Sequence, residues 1–232
     1  MPILTLLTIA LLFVLFSLGN WQWRRYEFKS ALEAAPPAPF EEMKLASIAA
    51  RDFQRYRLIG TPSKKFITIE TSQNGKYGKR VFTIVNSEIG KVFYELGFVA
   101  EMNQSHNALI QNQLASPLNA EVVLRQSHNS NPYMPKNNAV QKRLFWPEGA
   151  AMEQVFDEKV SHNDFYFTPI LQDPLGTGIK SANPYADPKG VSYVEPARHL
   201  GYALTWWGLA LGLIGVYIAM HIKAARLTFK PK

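Results

Sequence analysis

The sequence contains no cysteine. Disulfides, thiolate nucleophiles, cysteine-held zinc or iron–sulfur sites and covalent haem attachment through C-x-x-C-H are therefore excluded. Charge is scarce as well: 19% of the 232 residues are Asp, Glu, Lys or Arg, against about 25% in an ordinary soluble domain. G-x-S-x-G, a P-loop, G-x-G-x-x-G and H-E-x-x-H are all missing. The five histidines, at positions 106, 128, 162, 199 and 221, never fall at the i,i+3 or i,i+4 spacing of a preformed helical metal site. Hydrolysis and group transfer have no residue constellation to work with, so an enzyme is not expected.

The net charge of +7 is unevenly placed. Residues 24–199 hold 21 Lys/Arg against 18 Asp/Glu, while Lys223, Arg226, Lys230 and Lys232 supply the rest of the excess with no acid among them. Binding a nucleic acid needs a basic face that meets several phosphates. A short basic tail beside an apolar run is not such a face, and no nucleic-acid partner is expected.

What is present in quantity is uninterrupted apolar sequence. Ile3–Trp23 and Leu200–Met220 are each 21 residues without a charge, long enough as helices to span roughly 31 Å of bilayer. Trp21 and Trp23 close the first run and Tyr202, Trp206 and Trp207 open the second, which places both aromatic groups at one membrane face. No basic residue precedes Arg24, and the segment around it is a poor cleavage context, so an uncleaved span is expected rather than a signal peptide. The alternative for the second run is a buried core helix.

The basic cluster after the second run predicts a cytoplasmic C-terminus. Two spans then return the N-terminus to the same side, with residues between them in the periplasm or its equivalent. Arg24, Arg25 and Lys29 argue for the opposite orientation of the first span; the tail is the stronger determinant. The expected organisation is a first span over 1–23, a juxtamembrane and proline-rich segment over 24–40, a β-rich domain over 41–198, a second span over 199–221 and a basic tail over 222–232.

Ala34–Pro39 is a stiff spacer that ends any helix continuing from the first span. Glu41–Phe53 has helical spacing. Strands are predicted at Tyr56–Gly60, Lys65–Glu70, Lys79–Asn86, Lys91–Val99, Glu121–Arg125 and Phe165–Leu171, with a turn at Gln73–Lys76 and a second helix at Glu148–Glu158. Residues 126–142 are polar and predict a long loop. The fold class expected is a membrane protein in which two transmembrane helices flank one mostly-β extracytoplasmic domain, an antiparallel sheet or small barrel of α+β character.

His106, His128 and His162 lie among Asn, Ser and Gln and predict solvated loop positions. His199 is different: it stands beside Arg198 at the mouth of the second span, with Tyr202 at i+3 and Trp206 two turns on. Such a histidine can ligate haem iron and such an arginine can pair with a propionate. The plainer alternative is that both begin the helix and reach the headgroups. His221 predicts an interface anchor.

Leu18-Gly19-Asn20-Trp21-Gln22-Trp23-Arg24-Arg25 with Lys29, and His199-Leu200-Gly201-Tyr202-Ala203-Leu204-Thr205-Trp206 through Leu209-Ala210, resemble the two signatures that close the first span and open the second in the SURF1 family. Phe93-Tyr94-Glu95-Leu96-Gly97-Phe98-Val99 is similar to that family's strand ending V-N-R-G-W-V-P. Here Leu96 replaces the arginine, Phe98 the tryptophan and Ala100 the proline, which puts in doubt any partner contact those residues make. Arg143–Glu148 is similar to the aromatic segment before the family's helix.

The resemblance implies a factor in the biogenesis of haem–copper cytochrome c oxidase, placed in the cell inner membrane. It implies transient binding of haem a, with catalytic subunit I and the haem a biosynthesis or insertion machinery as partners besides the lipid bilayer. His199 matches the family's second-span histidine, the candidate axial metal ligand. Arg198, Tyr202 and Trp206 would line the site, and Trp21, Gln22 and Arg25 would contribute from the first span or simply pack it. The alternative is a structural accessory subunit retained in the mature oxidase.

Overall fold

The computed structural model describes residues 2–34, 38–41, 43, 52–73, 75–127, 135–190 and 194–224. The chain forms two compact units: the terminal segments Met1–Ala35 and Ser192–Lys232 together, and Pro36–Val191 between them.

The terminal unit is a pair of helices. Helix α1 covers Pro2–Ala34. It passes straight through Trp23 and stops where the proline-rich spacer begins, as fixed proline φ and missing N–H groups require. Helix α4 covers Pro196–Lys223 and starts on a proline, which is already set for a first helical turn. Their most apolar windows have mean hydropathies of 2.4 and 1.7, and only 11% of each window is buried. A core helix would be enclosed; here Phe13 is 74% and Leu211 66% exposed. Both helices are long and apolar enough to cross a membrane, and with such faces exposed they are membrane anchors.

One seam of each helix is enclosed by the other. On α1 it runs through Thr5, Thr8, Leu12, Leu15, Gly19, Gln22, Tyr26 and Lys29. On α4 it runs through His199, Ala203, Trp206, Ala210, Leu213 and Tyr217. Steps of three and four keep one side of a helix on its partner. Small residues let the backbones approach: Gly19, Ala203 and Ala210 are buried. Thr5 Oγ1 and Tyr217 OH meet at 2.8 Å near one end of the pair.

The middle unit contains β1 (Phe40–Glu41), β2 (Arg55–Gln73), β3 (Lys76–Ser87), β4 (Gly90–Val99), α2 (Gln104–Leu114), β5 (Leu118–Gln126), α3 (Gly149–Phe156), β6 (His162–Pro169), β7 (Leu171–Gln172) and β8 (Ser181–Ala182). Five strands run in the order β2-β3-β4-β6-β5, and β5 pairs back onto β2, closing a barrel. Strand β2 serves both neighbours: Arg55–Gly60 pairs with β5, and Gly60–Gln73 with β3. Its register shifts between Pro62 and Phe66, where a proline that cannot donate marks the bend. The two separate strands predicted at Tyr56–Gly60 and Lys65–Glu70 are therefore one strand with an irregularity. Among the barrel pairings β4–β6 alone is parallel. This is the five-stranded Greek-key barrel of OB type.

Side-chain alternation sends residues to two cores. Val81, Val85, Val92, Tyr94, Leu96, Phe165 and Phe167 join residues of β2, β5 and α2 in the barrel interior. Phe82, Ile84, Phe93 and Tyr166 point outward, under Leu144 and the α3 residues Ala151, Met152 and Phe156. The outer β3–β4 face, through which barrels of this type hold oligomeric ligands, is thus occupied by the protein's own β5–β6 connection.

Several expectations need correction. Helix α2 was not foreseen, because only Ile110 and Leu114 of its residues are buried. Glu41 lies in strand β1 and Asp52–Phe53 in a turn rather than in a helix; the predicted helix otherwise falls almost wholly outside the described residues. His162 opens strand β6 and stacks on Phe165 at 5.2 Å, so it is not a loop residue. His128 lies outside the described residues, as do residues 35–37 of the proline-rich spacer and the tail beyond Ala224.

Candidate functional site

Among the described residues no group of three or more His, Asp or Glu side chains could hold a metal ion. The β-rich unit has an open hollow of about 450 Å³ lined by Lys64, Lys65, Lys142, Val155 and Phe156, among others. Its lysines are exposed to solvent. The buried polar cluster of that unit is structural. Arg80 Nε donates to Glu95 Oε1 at 2.9 Å and its terminal nitrogen to Oε2 at 2.5 Å, while Thr168 donates to the same carboxylate at 2.9 Å. Burial works against the Arg80 charge, but the Glu95 carboxylate more than offsets it and holds the guanidinium firmly protonated. Both oxygens of that carboxylate accept hydrogen bonds from the barrel's own side chains, so the buried charge is satisfied internally.

The helix pair is different. His199 is 8% exposed and faces α1. Its Nδ1 lies 2.6 Å from Gln22 Oε1. Its Nε2 is buried and has no hydrogen-bond partner among the described residues, a state that side-chain atoms of Gln73, Gln113, Ser127, Trp146 and Asn183 in the β-rich unit share. A buried polar atom without a partner costs about 1–3 kcal/mol. The ring is within electrostatic reach of Lys29 and Arg25. Lys29 itself donates to Val194 O at 2.7 Å, tying the far turn of α1 to the start of α4.

Local packing fixes this arrangement. One turn before Gln22, Gly19 admits the Trp207 indole so closely that a Cβ there would lie 2.3 Å from Trp207 Nε1. Trp207 also packs on Trp23, with ring centroids 5.8 Å apart. Of the residues singled out in sequence, the structure brings Gln22 and His199 together. Trp206 is half-buried along the same side of α4, whereas Trp21, Arg25, Arg198 and Tyr202 are exposed. Sequence reasoning passed over Gly19, Lys29 and Trp207 as site residues. The signal that finds Gly19 and Lys29 is the three-and-four spacing of small and polar residues through an apolar run; Trp207, neither small nor polar, falls outside it.

A closed β-barrel joined to two long apolar helices defines a membrane-anchored α+β protein. A sequence model of the SURF1 family matches residues 9–211, from within α1 to within α4. The chain belongs to the SURF1 family, a family of cytochrome oxidase assembly factors and not of catalysts. No curated protein sequence matches it.

Proposed function

We propose that this protein binds haem a at its helix pair and hands it to catalytic subunit I of cytochrome c oxidase. The observation that carries this reading is the buried, unpartnered Nε2 of His199. A neutral imidazole nitrogen with a free lone pair is a suitable donor to haem iron. Arg25 and Arg198 are exposed cations, the type of side chain that pairs with propionates. The half-buried Trp206 offers an aromatic surface, and Trp21 and Tyr202 present rings on the open sides of their helices. Haem a, when bound, would supply an iron that takes a nitrogen donor. His199 would be the residue that holds it, through Nε2. A single protein ligand without a covalent link suits a carrier that must release its cargo.

The proposed setting is the inner membrane, with the barrel in the periplasm and both termini in the cytoplasm. A reporter fused after residue 232 is expected to read cytoplasmic; a periplasmic signal overturns the orientation.

Deletion of the gene is expected to lower the haem a absorbance and the oxidase activity of membranes together. Re-expression of the native chain restores both, and His199→Ala, present at the same level, does not. Full restoration by His199→Ala removes the histidine from the function.

A further inference from the structure

We infer that Gln22 is a positioning residue that holds His199 in the Nδ1–H tautomer and so keeps the Nε2 lone pair free. The tautomer stands on geometry alone; its use by a metal rests on the function proposed above. Gln22 Oε1 is a carbonyl oxygen and can only accept, so at 2.6 Å the hydrogen between the two groups belongs to Nδ1. The other end of the ring does not oppose this form: Nε2 is buried without a partner among the described residues, so neither a hydrogen nor a lone pair there gains a bond. The contact at Nδ1 therefore decides between the two tautomers.

The helix that carries the amide is itself held on either side of it. Gly19, one turn before it, lets Trp207 fill the seam, and Lys29, two turns after it, is bound to Val194 O. Gln22 thus sits between two fixed points on α1 and offers its carbonyl to a histidine 177 residues away in sequence. A partner that accepts from one ring nitrogen orients the ring and strengthens the other nitrogen as a donor. This assigns Gln22 a part distinct from touching the cargo: it acts through His199.

The test uses the full chain in detergent micelles with ¹⁵N-labelled histidine, read by NMR without any haem. Protonated and lone-pair ring nitrogens resonate far apart, and the His199 signals are identified by their loss in His199→Asn. The native protein is expected to show protonated Nδ1 and a lone pair on Nε2. Gln22→Met, close in volume but without the carbonyl, is expected to lose that preference, and Gln22→Glu, which can still accept, to keep it. A native Nε2–H form, or a tautomer unmoved in Gln22→Met, overturns the inference. Should Gln22→Met fail to fold, which the remaining histidine signals report, Gln22→Lys supplies a donor in place of an acceptor and is expected to invert the tautomer; an uninverted signal then overturns it.

Haem a titrated into the same proteins separates this inference from the function it serves. Gln22→Met is expected to bind about 10–100-fold more weakly, and Gln22→Glu to lower the reduction potential of the bound haem. If the tautomer shifts as described while haem affinity is unchanged, the positioning stands and His199 as haem ligand falls.

Discussion

Gly19 and Trp207 share one space in the helix pair: a methyl group on Gly19 would stand 2.3 Å from Nε1 and 2.5 Å from Cδ1 of the indole. The indole is too bulky to step aside cheaply, so the helices themselves must part. Gly19→Ala is expected to destabilise the pair by about 1–3 kcal/mol, the usual cost of overpacking. Thermal unfolding in detergent measures it. Trp207→Ala in the same chain is expected to recover most of the loss, because it removes the atoms in the way. A double variant no better than Gly19→Ala alone would show that the contact is not the cause.

The buried Arg80–Glu95 pair makes a second prediction. Glu95 is fully buried and accepts from both Arg80 and Thr168. Glu95→Ala strands a guanidinium in the barrel wall and is expected to cost about 3–5 kcal/mol. Replacing both partners with leucine is expected to cost far less, since no charge is then left alone. Denaturant unfolding of the three proteins side by side decides it.

The third concerns pH. Burial pushes the Glu153 carboxyl up. Hydrogen bonds from Lys159, the Val160 N–H and Asn163 outweigh this and hold it below its ordinary 4.5. A group lowered on folding stabilises the native state above its ordinary value, and this stabilisation is lost as pH falls through the folded value. The melting temperature is therefore expected to drop below about pH 4.5, and Glu153→Gln to flatten that slope. An identical slope in the variant would mean that other carboxylates carry the acid sensitivity.

The cover over the outer barrel face provides the fourth. Phe156 is buried and stacks on Phe93 with centroids 5.9 Å apart. Phe156→Ala is expected to cost about 3–5 kcal/mol and to expose Phe82, Ile84 and Phe93, raising the fluorescence of a hydrophobic dye. A stable variant that binds no dye would show that α3 is not needed to shield that face.

Much of this architecture was legible in the residues, and the reasons for the rest are physical. The hairpin of β3 and β4 announced itself through β-branched and aromatic residues around Glu88-Ile89-Gly90, and α3 falls within Glu148–Glu158 as read from its spacing. Barrel closure was hidden because it depends on β2 pairing with β5, some 60 residues apart, which no local pattern records. Helix α2 was hidden because it buries so little; its sign was Asn103, whose side chain accepts from the His106 N–H as an N-cap. His199 stood out by its place at the head of the second apolar run. The role of Gln22 did not, because within an apolar helix hydrophobicity cannot tell which side meets a partner, and polar or small residues spaced along one side are the only mark of it.

The seam described above has a consequence for how the chain is made. Its two halves lie at opposite ends of the sequence, α1 ending at Ala34 and α4 starting at Pro196. At about 5–20 residues per second, roughly 8–30 s of synthesis separate them. For that interval Gln22 lacks His199 and Lys29 lacks Val194, so the first anchor enters the bilayer with its polar side open and only lipid, water or another protein to meet it. The imidazole site is therefore the last part of the molecule to be assembled, after the whole barrel sequence has left the ribosome, and a chain truncated within the barrel would carry half of it.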